Sequence, residues 1–303
     1  MKSALVVINP ISGGRRRDAA EVELARAALA DSGFAADVVV TSGPGHASRL
    51  ARSARDAGVA LVVAWGGDRT MNEVGRELAF GPVPLALVPA GSGNGLARDL
   101  GVPRDPRRAL AVASGGQCWR IDAGAVNDAL FFNVAGLGLD ARIASAFATS
   151  TGRRGLRRYL EIGARELMRY RAREYDIDWQ AGRLSPRALI VALANSRQYG
   201  SHGLIAPRVV LDDGRLDLVV IDDLSLWRVL RRVPAFFRGT LRPGAGIAMH
   251  TFTRARIVPA GPWELHLDGE PSTGTGALQV AVHPAALAVV APLDSRARRA
   301  ATG

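Results

Sequence analysis

The chain is poor in residues that build metal clusters and covalent staples. Its 303 residues include one cysteine, Cys118, and five scattered histidines. A single cysteine excludes an intrachain disulfide and fits a reducing compartment. With no H-E-x-x-H pair and no cysteine cluster, zinc chemistry lacks its ligands. Long apolar runs are also missing. None approaches the ~18–20 residues of a membrane span, and the run after Lys2 stops at Asn9-Pro10, too short for a signal peptide. The expected location is cytoplasmic, touching a membrane surface but not crossing it. A Walker P-loop, a G-x-G-x-x-G fingerprint, internal repeats and low-complexity linkers are absent. No aromatic-studded RNA-binding pattern is present, so nucleic acid is not an expected partner.

Acidic residues are the other shortage. There are 28 against 39 basic ones, a formal net charge of +11 carried almost wholly by arginine. Such a surplus favours an anionic partner such as a nucleotide or an acidic membrane. An Ala- and Arg-rich composition equally reflects genomic base composition. With 48% hydrophobic residues the chain is long enough for one large or two ordinary domains with real cores.

What is present begins as an alternation of strand and helix. Apolar runs predict strands over residues 4–8, 36–40, 59–64 and 84–88, and helical spacing predicts helices over 18–30, 47–57 and about 96–100, with another that follows the glycine-acid loop and runs through Leu78. That order implies a parallel sheet covered on both faces, with ligands at the carboxyl ends of its strands. Asn9-Pro10, Thr41, Gly66-Gly67-Asp68-Arg69-Thr70-Met71-Asn72 and Gly91-Ser92-Gly93-Asn94 all lie just after strands. From about residue 120 short apolar runs separated by turns take over, at 130–134, 175–179, 188–194, 216–221, 253–258, 264–267, 278–282 and 287–290. This reads as a mostly antiparallel sheet or sandwich, interrupted by helices over about 155–171 and 225–238.

Glycines let a backbone turn tightly and approach a ligand, and a helix N-terminus offers free N–H groups to an anion. Gly66-Gly67-Asp68 before a helix therefore suits phosphate, with Asp68 a hard oxygen ligand for magnesium. Any one such loop is ordinary βα punctuation; three at one sheet edge are not. Leu267-Asp268-Gly269-Glu270-Pro271 reads first as a hairpin turn. It reads second as a carboxylate pair, Asp268 and Glu270, one of which takes a proton from an alcohol. The segments 195–200 and 211–217 are each a sheet turn or a metal or phosphate contact. Residues 153–173 hold eight arginines and two glutamates with interleaved apolar residues. That pattern is either a basic helix lying on an anionic membrane or an ordinary packed helix with a solvated basic face.

The motifs together resemble the diacylglycerol kinase catalytic domain family, in its bacterial soluble lipid kinase branch, related to sphingosine and ceramide kinases. Asn9-Pro10-Ile11-Ser12-Gly13 is similar to its N-P-x-S-G opening, and Gly66 to Glu73 to its G-G-D-G-T-x-N-E. Pro89-Ala90-Gly91-Ser92-Gly93-Asn94 is similar to P-x-G-T/S-x-N, and Asp268-Gly269-Glu270-Pro271 to the closing D-G-E-P. The segments 132–140, 195–200, 206–207 and 212–214 follow in family order.

The resemblance implies an N-terminal α/β ATP-binding domain, residues 1–125 with a returning tail of about 288–303. It implies a C-terminal antiparallel β-sandwich lipid-substrate domain, 126–287, with the active site in the cleft between them. The implied reaction is transfer of the γ-phosphoryl group of ATP to a lipid hydroxyl of diacylglycerol, a sphingoid base or a phosphatidylglycerol-like lipid. Asn9, Pro10, Ile11, Ser12, Gly13, Thr41, Gly66, Gly67, Asp68, Arg69, Thr70, Met71, Asn72 and Ser92 would hold ATP. Asp68 would organise Mg2+ on its phosphates, and Glu270 would accept the proton. Asp213 would bind a structural Mg2+, with Val210 and Arg215 contributing at the flanking positions. The implied partners are the lipid alcohol and an anionic membrane surface; the oligomeric state stays open, a homodimer included.

The chain departs from the pattern twice. Arg69 replaces a glycine, so the loop either takes an ordinary conformation or carries strain, and the guanidinium could reach the phosphates instead. Gly95 stands where many bacterial members have an acid that joins a water–magnesium network with the loop aspartate. Sphingosine kinases also lack that acid, which leans the substrate towards a long-chain base. Alternative readings are a kinase of a soluble alcohol such as NAD and a degenerate kinase that binds without turnover.

Overall fold

A computed structural model of the chain describes residues 1–14, 19–149, 156–199 and 203–295. The backbone divides into two units, residues 1–121 with 285–303, and residues 122–284.

In the first unit strands β1 (Lys2–Ile8), β2 (Phe34–Val40), β3 (Leu61–Gly66) and β4 (Leu85–Pro89) alternate with helices α1 (Ala19–Ala30), α2 (His46–Asp56) and α3 (Asp68–Leu78). The strands are parallel in the order β2-β1-β3-β4. β3 and β4 are buried along their whole length, which is why they read as unbroken apolar runs rather than alternating ones. Each helix turns one stripe inward: Ala47, Ala51 and Ala54 on α2, and Met71, Val74, Gly75 and Leu78 on α3. α4 (Gly95–Asp99) and α5 (Pro106–Gly115) follow. α5 was not among the expected helices, although its start carries two standard signals. Pro106 sits at the first helical position, and the Asp105 carboxylate accepts from the Arg108 N–H at 2.9 Å.

β5 (Gln117–Val126) runs into the second unit. There the strands are β6 (Ala129–Phe131), β7 (Val134–Gly138), β8 (Arg173–Trp179), β9 (Gly182–Leu184), β10 (Arg187–Ala194), β11 (Gln198–Tyr199), β12 (Gly203–Leu204), β13 (Leu216–Asp222), β14 (Ile247–Phe252), β15 (Arg254–Pro259), β16 (Trp263–Leu267), β17 (Glu270–Gly274) and β18 (Leu278–Ala291). The helices are α6 (Leu139–Thr149), α7 (Leu156–Arg169) and α8 (Leu226–Arg238).

β17, β16, β7, β10, β13 and β14 pair antiparallel in that order. β9, β8, β15 and the first half of β18 form a second antiparallel set. Alternate residues of both sets meet in one core: Ala135 and Leu137, Val191 and Leu193, Leu216, Leu218 and Val220, with Tyr175 and Ile177, Ala255 and Ile257, and Leu278 and Val280. β10 is apolar on both sides because its other face is covered as well. Ala192 and Ala194 join Val219 under Tyr199, Ile205 and Val209.

Three expectations change. The strand expected over 130–134 is two strands, because the amides of Phe132, Asn133 and Val134 bond a carboxylate rather than a neighbouring strand. The strands expected at 278–282 and 287–290 are one, β18. Its start pairs antiparallel with β15, and Val289 pairs parallel with Leu85 of β4. α6 was not anticipated. Of the tail expected to return, residues 296–303 lie outside the described residues, as do residues 153–155 of the basic segment and Gly200.

Candidate active site

At the carboxyl edge of the parallel sheet the glycine loops of the first unit interlock. Asn9 follows β1; its Nδ2 donates to Thr70 Oγ1 at 2.9 Å, and its Oδ1 accepts from the Ile11 N–H at 3.1 Å. Thr41, just past β2, donates its N–H to Ile8 O at 2.8 Å. Gly13 has φ 73°, and a Cβ there would stand 2.3 Å from the Ala90 carbonyl oxygen. A Cβ on Gly91 would stand 2.7 Å from the Gly67 Cα, and one on Gly93 2.5 Å from Asp68 Oδ2. At Gly13 and Gly91 the obstacle is backbone, so a larger residue must push the loops apart; at Gly93 it must displace the Asp68 carboxylate.

Asp68 opens α3 and holds the contact together. Its Oδ2 accepts from the Asn94 N–H at 2.7 Å and its Oδ1 from the Gly95 N–H at 2.5 Å. Asn94, with φ 57°, closes its own loop by a pair of bonds with the Gly91 N–H and carbonyl. The glycine at 95 therefore serves the loop aspartate through its backbone. Arg69 is an ordinary helical residue of α3 without positive φ. Its Nε lies 3.3 Å from Glu73 Oε1, one turn on.

Thr70 and Asn72 are buried, Ser92 is half-buried and Ile11 is exposed. Met71 gives its side chain to the core and its amide to Gly67 O. Arg98, on α4, has both terminal guanidinium nitrogens enclosed without a hydrogen-bond partner. Burial and then the charge of Arg104 push its pKa down, against Asp68.

In the second unit Asp268 and Gly269, with φ 51° and 85°, make the two-residue turn between β16 and β17, and Leu267 pairs with Glu270 across it. The hairpin reading and the carboxylate reading are both realised in one residue. The Asp268 carboxylate accepts the amides of Phe132 and Asn133 at 2.8 Å and of Val134 at 3.1 Å. Three amides on one carboxylate anchor the turn that presents Glu270, which is half-buried at the head of β17. Beneath the turn His266 and Asp140 form a buried pair at 2.5 Å. The Gly269 N–H donates to His266 Nδ1 at 3.2 Å, so Nε2 carries the proton towards Asp140. Burial opposes a charged imidazole, but Asp140 and then Asp268 outweigh it, and the net shift is upward.

The loop before β13 is tied down by a residue that the sequence reading missed, Asp122. Its carboxylate accepts from the Gly214 N–H at 2.6 Å, and its amide donates to Leu211 O at 2.7 Å. The signal was there: a lone acid inside an apolar strand. Asn195 is a structural corner, donating to the carbonyls of Asp122 and Phe132. Asp213 accepts from the Arg215 N–H at 3.0 Å. Its pKa is raised chiefly by burial, and that of Asp217 is raised to about 7 by burial and the Asp213 charge.

Replacing His266 with alanine strands the Asp140 carboxylate and the Gly269 amide. The variant is expected to lose about 1–3 kcal/mol of stability in urea unfolding, whereas a loss near zero would show that the pair does not hold the turn.

Residues 3–126 match the family described as diacylglycerol kinase catalytic domain, and residues 133–291 match the YegS C-terminal NAD kinase beta sandwich-like domain. The chain is 33% identical to a protein from Pseudomonas aeruginosa (strain UCBPP-PA14) named probable lipid kinase YegS-like, over 93% of each chain. It is 29% identical to a diacylglycerol kinase of Bacillus subtilis (strain 168), covering 89% of this chain and 90% of that one. A diacylglycerol kinase structure from Bacillus anthracis str. Sterne shares the fold, with TM-score 0.75 and 19% identity over 97% of this chain and 98% of that chain. The interlocked glycine loops, the anchored hairpin and these matches along both units place the chain in the diacylglycerol kinase catalytic domain family, a family of kinases.

Proposed function

We propose that the chain transfers the γ-phosphoryl group of ATP to a lipid hydroxyl, that of diacylglycerol, a sphingoid base or a phosphatidylglycerol-like lipid. The observation that carries the reading is the glycine-dependent interlock of three loops around Asp68. Phosphoryl transfer asks a protein mainly to position reactants and neutralise charge. Asn9 to Gly13, Thr41, Gly66 to Asn72 and Ser92 are the proposed ATP contacts. Arg98 adds an enclosed cation with no protein partner for its terminal nitrogens. Glu270 is the proposed proton acceptor. Asp268 holds the turn that presents Glu270 rather than reacting itself, since three amides already lie on its carboxylate.

Two magnesium roles fit the residues present. A carboxylate has about four acceptor sites, so Asp68 can bond two amides and still meet a metal. Bound there, magnesium supplies charge neutralisation on the ATP phosphates. Asp213 and Asp217 are partly buried carboxyls raised first by burial, with the charge of Asp212 adding at Asp213 and that of Asp213 at Asp217, and a cation relieves both costs. Among the described residues no three acidic, histidine or cysteine side chains gather as a metal cage. A structural cation would therefore also need backbone oxygens, such as those of Val210 and Arg215.

The relatives' names support a lipid rather than NAD as acceptor, and retention of Asp68 and Glu270 supports turnover. Incubation with labelled ATP and a panel of diacylglycerol, phosphatidylglycerol, sphingosine, ceramide, monoacylglycerol and NAD decides. A labelled lipid is expected, with Glu270→Gln slowing turnover about 10²–10⁴-fold. Label only in NAD, or in nothing, overturns the reading.

The acidic pair makes a second prediction. A carboxyl whose pKa rises from about 3.9 unfolded to about 7 folded keeps a proton that the unfolded chain has lost. Metal-free stability therefore falls as pH rises from about 4 to 7, and bound cation offsets that fall. At pH above 7, magnesium should raise the melting temperature of the wild type more than that of Asp213→Asn; equal shifts in both would remove the cation from this loop.

A further inference from the structure

The basic segment 153–173 reads either as a helix lying on a membrane or as a packed helix with a solvated basic face, and in the described part of α7 the apolar side chains divide, with Met168 71% exposed. Ile162 is buried, and Leu167 and Tyr170 pack against Ala172, Leu189 and Leu224. Arg158 faces Glu161, and Arg165 faces Glu166. α8 also exposes apolar side chains, and there they are joined by arginines on one face. Trp227 is 76% exposed and Leu230 45%. They continue into Arg231, Pro234 and Arg238, all exposed and spaced along one helical face, with Arg228 beside them. The opposite side of α8 is fixed: Val229 packs on the Leu189–Leu224 cluster, and Phe236 meets Tyr199 edge-on at 5.6 Å. Arg232 is spent on the Gly244 and Ala245 carbonyls.

We propose that this face of α8 is the docking surface for an anionic lipid bilayer; the proposal rests on the lipid-kinase reading and deepens it. Charge names the occupant. From Leu224 to Trp263 the chain has no acidic residue, and seven arginines fall in those 40 positions. Arginine forks match phosphate oxygens, and each basic residue near an anionic surface adds to the attraction. Tryptophan, with an apolar body and one polar edge, settles at the headgroup level. A helix carrying both lies in the interface plane with its apolar side chains embedded. A second copy of the chain is a poor occupant, because pairing this face with itself would bring arginine against arginine. Nucleic acid would match the arginines but leave Trp227 and Leu230 without apolar contact.

The test is co-sedimentation of the full chain with vesicles of phosphatidylcholine alone or mixed with phosphatidylglycerol. Binding is expected to the mixed vesicles and to weaken with salt. Trp227→Ala with Leu230→Ala should lower affinity about tenfold or more while leaving the melting temperature unchanged, since both side chains are exposed. The same variant should keep its phosphorylation of a short-chain, water-dispersed diacylglycerol. Vesicle binding that depends on Trp227 in a chain without kinase activity would keep the surface and discard the kinase reading. Equal vesicle binding by variant and wild type, no binding of the wild type to anionic vesicles, displacement of the vesicles by duplex DNA bound through the same residues, or self-association abolished by the substitutions would each overturn the proposal.

Discussion

The carboxylate of Asp68 spans two loops that follow different strands of the parallel sheet. By accepting the Asn94 and Gly95 amides, it fixes the start of α3 against the start of α4. A charged acceptor makes such bonds short and strong, and here it bonds main chain, so no side-chain rotamer has to be ordered on the donor side. The approach is possible only where there is no Cβ. Gly67, Gly91 and Gly93 stand at contacts that a methyl group would occupy, and Gly13 does the same for the first loop against Ala90. Under the proposed reading, this packing is what would bring the loop backbones and Arg98 to one ATP phosphate.

The second unit repeats the device. Asp268 gathers three consecutive amides at the end of one strand pair, and Asp122 gathers the loop before β13. In each case an aspartate stabilises backbone that cannot enter a sheet ladder, which answers where those hydrogen bonds go. The His266–Asp140 pair completes the arrangement under Glu270. Asp140 itself lies in the first turn of α6, where a negative charge meets the favourable end of the helix dipole.

Much of this was legible beforehand, and the reasons differ by element. The parallel strands were readable because burial on both faces leaves no place for a polar side chain: Leu61 to Ala64 and Leu85 to Val88 are continuously apolar. Most sandwich strands were readable as short apolar or alternating runs between turns, whereas β5 and β14 were not among those expected. The glycine loops were readable as motifs, but their interlock was not, since it depends on contacts between residues some 26 positions apart, as Asp68 and Asn94 are. Asp122 was missed because an acid inside a strand has no local reason to be there; its partner, Gly214, lies 92 residues away. The basic stretch at 153–173 left two readings open, because composition reports charge but not which face turns inward; among the described residues Ile162 and Leu167 pack inward while Met168 is exposed. Exposure of Trp227 shows only once the fold has buried Val229 and Phe236.

Residue 93 isolates the interlock most cleanly. A methyl group there would stand 2.5 Å from the Asp68 carboxylate, whereas at Gly115, on α5, it would meet nothing within 4 Å. Calorimetric titration of ATP into Gly93→Ala and Gly115→Ala, with folding of both verified by circular dichroism, separates a phosphate site from a merely well-packed turn. If the interlock shapes the phosphate site, the ATP dissociation constant weakens about tenfold or more for Gly93→Ala, equivalent to roughly 1.4 kcal/mol, and is unchanged for Gly115→Ala. Wild-type affinity in a folded Gly93→Ala chain would contradict it.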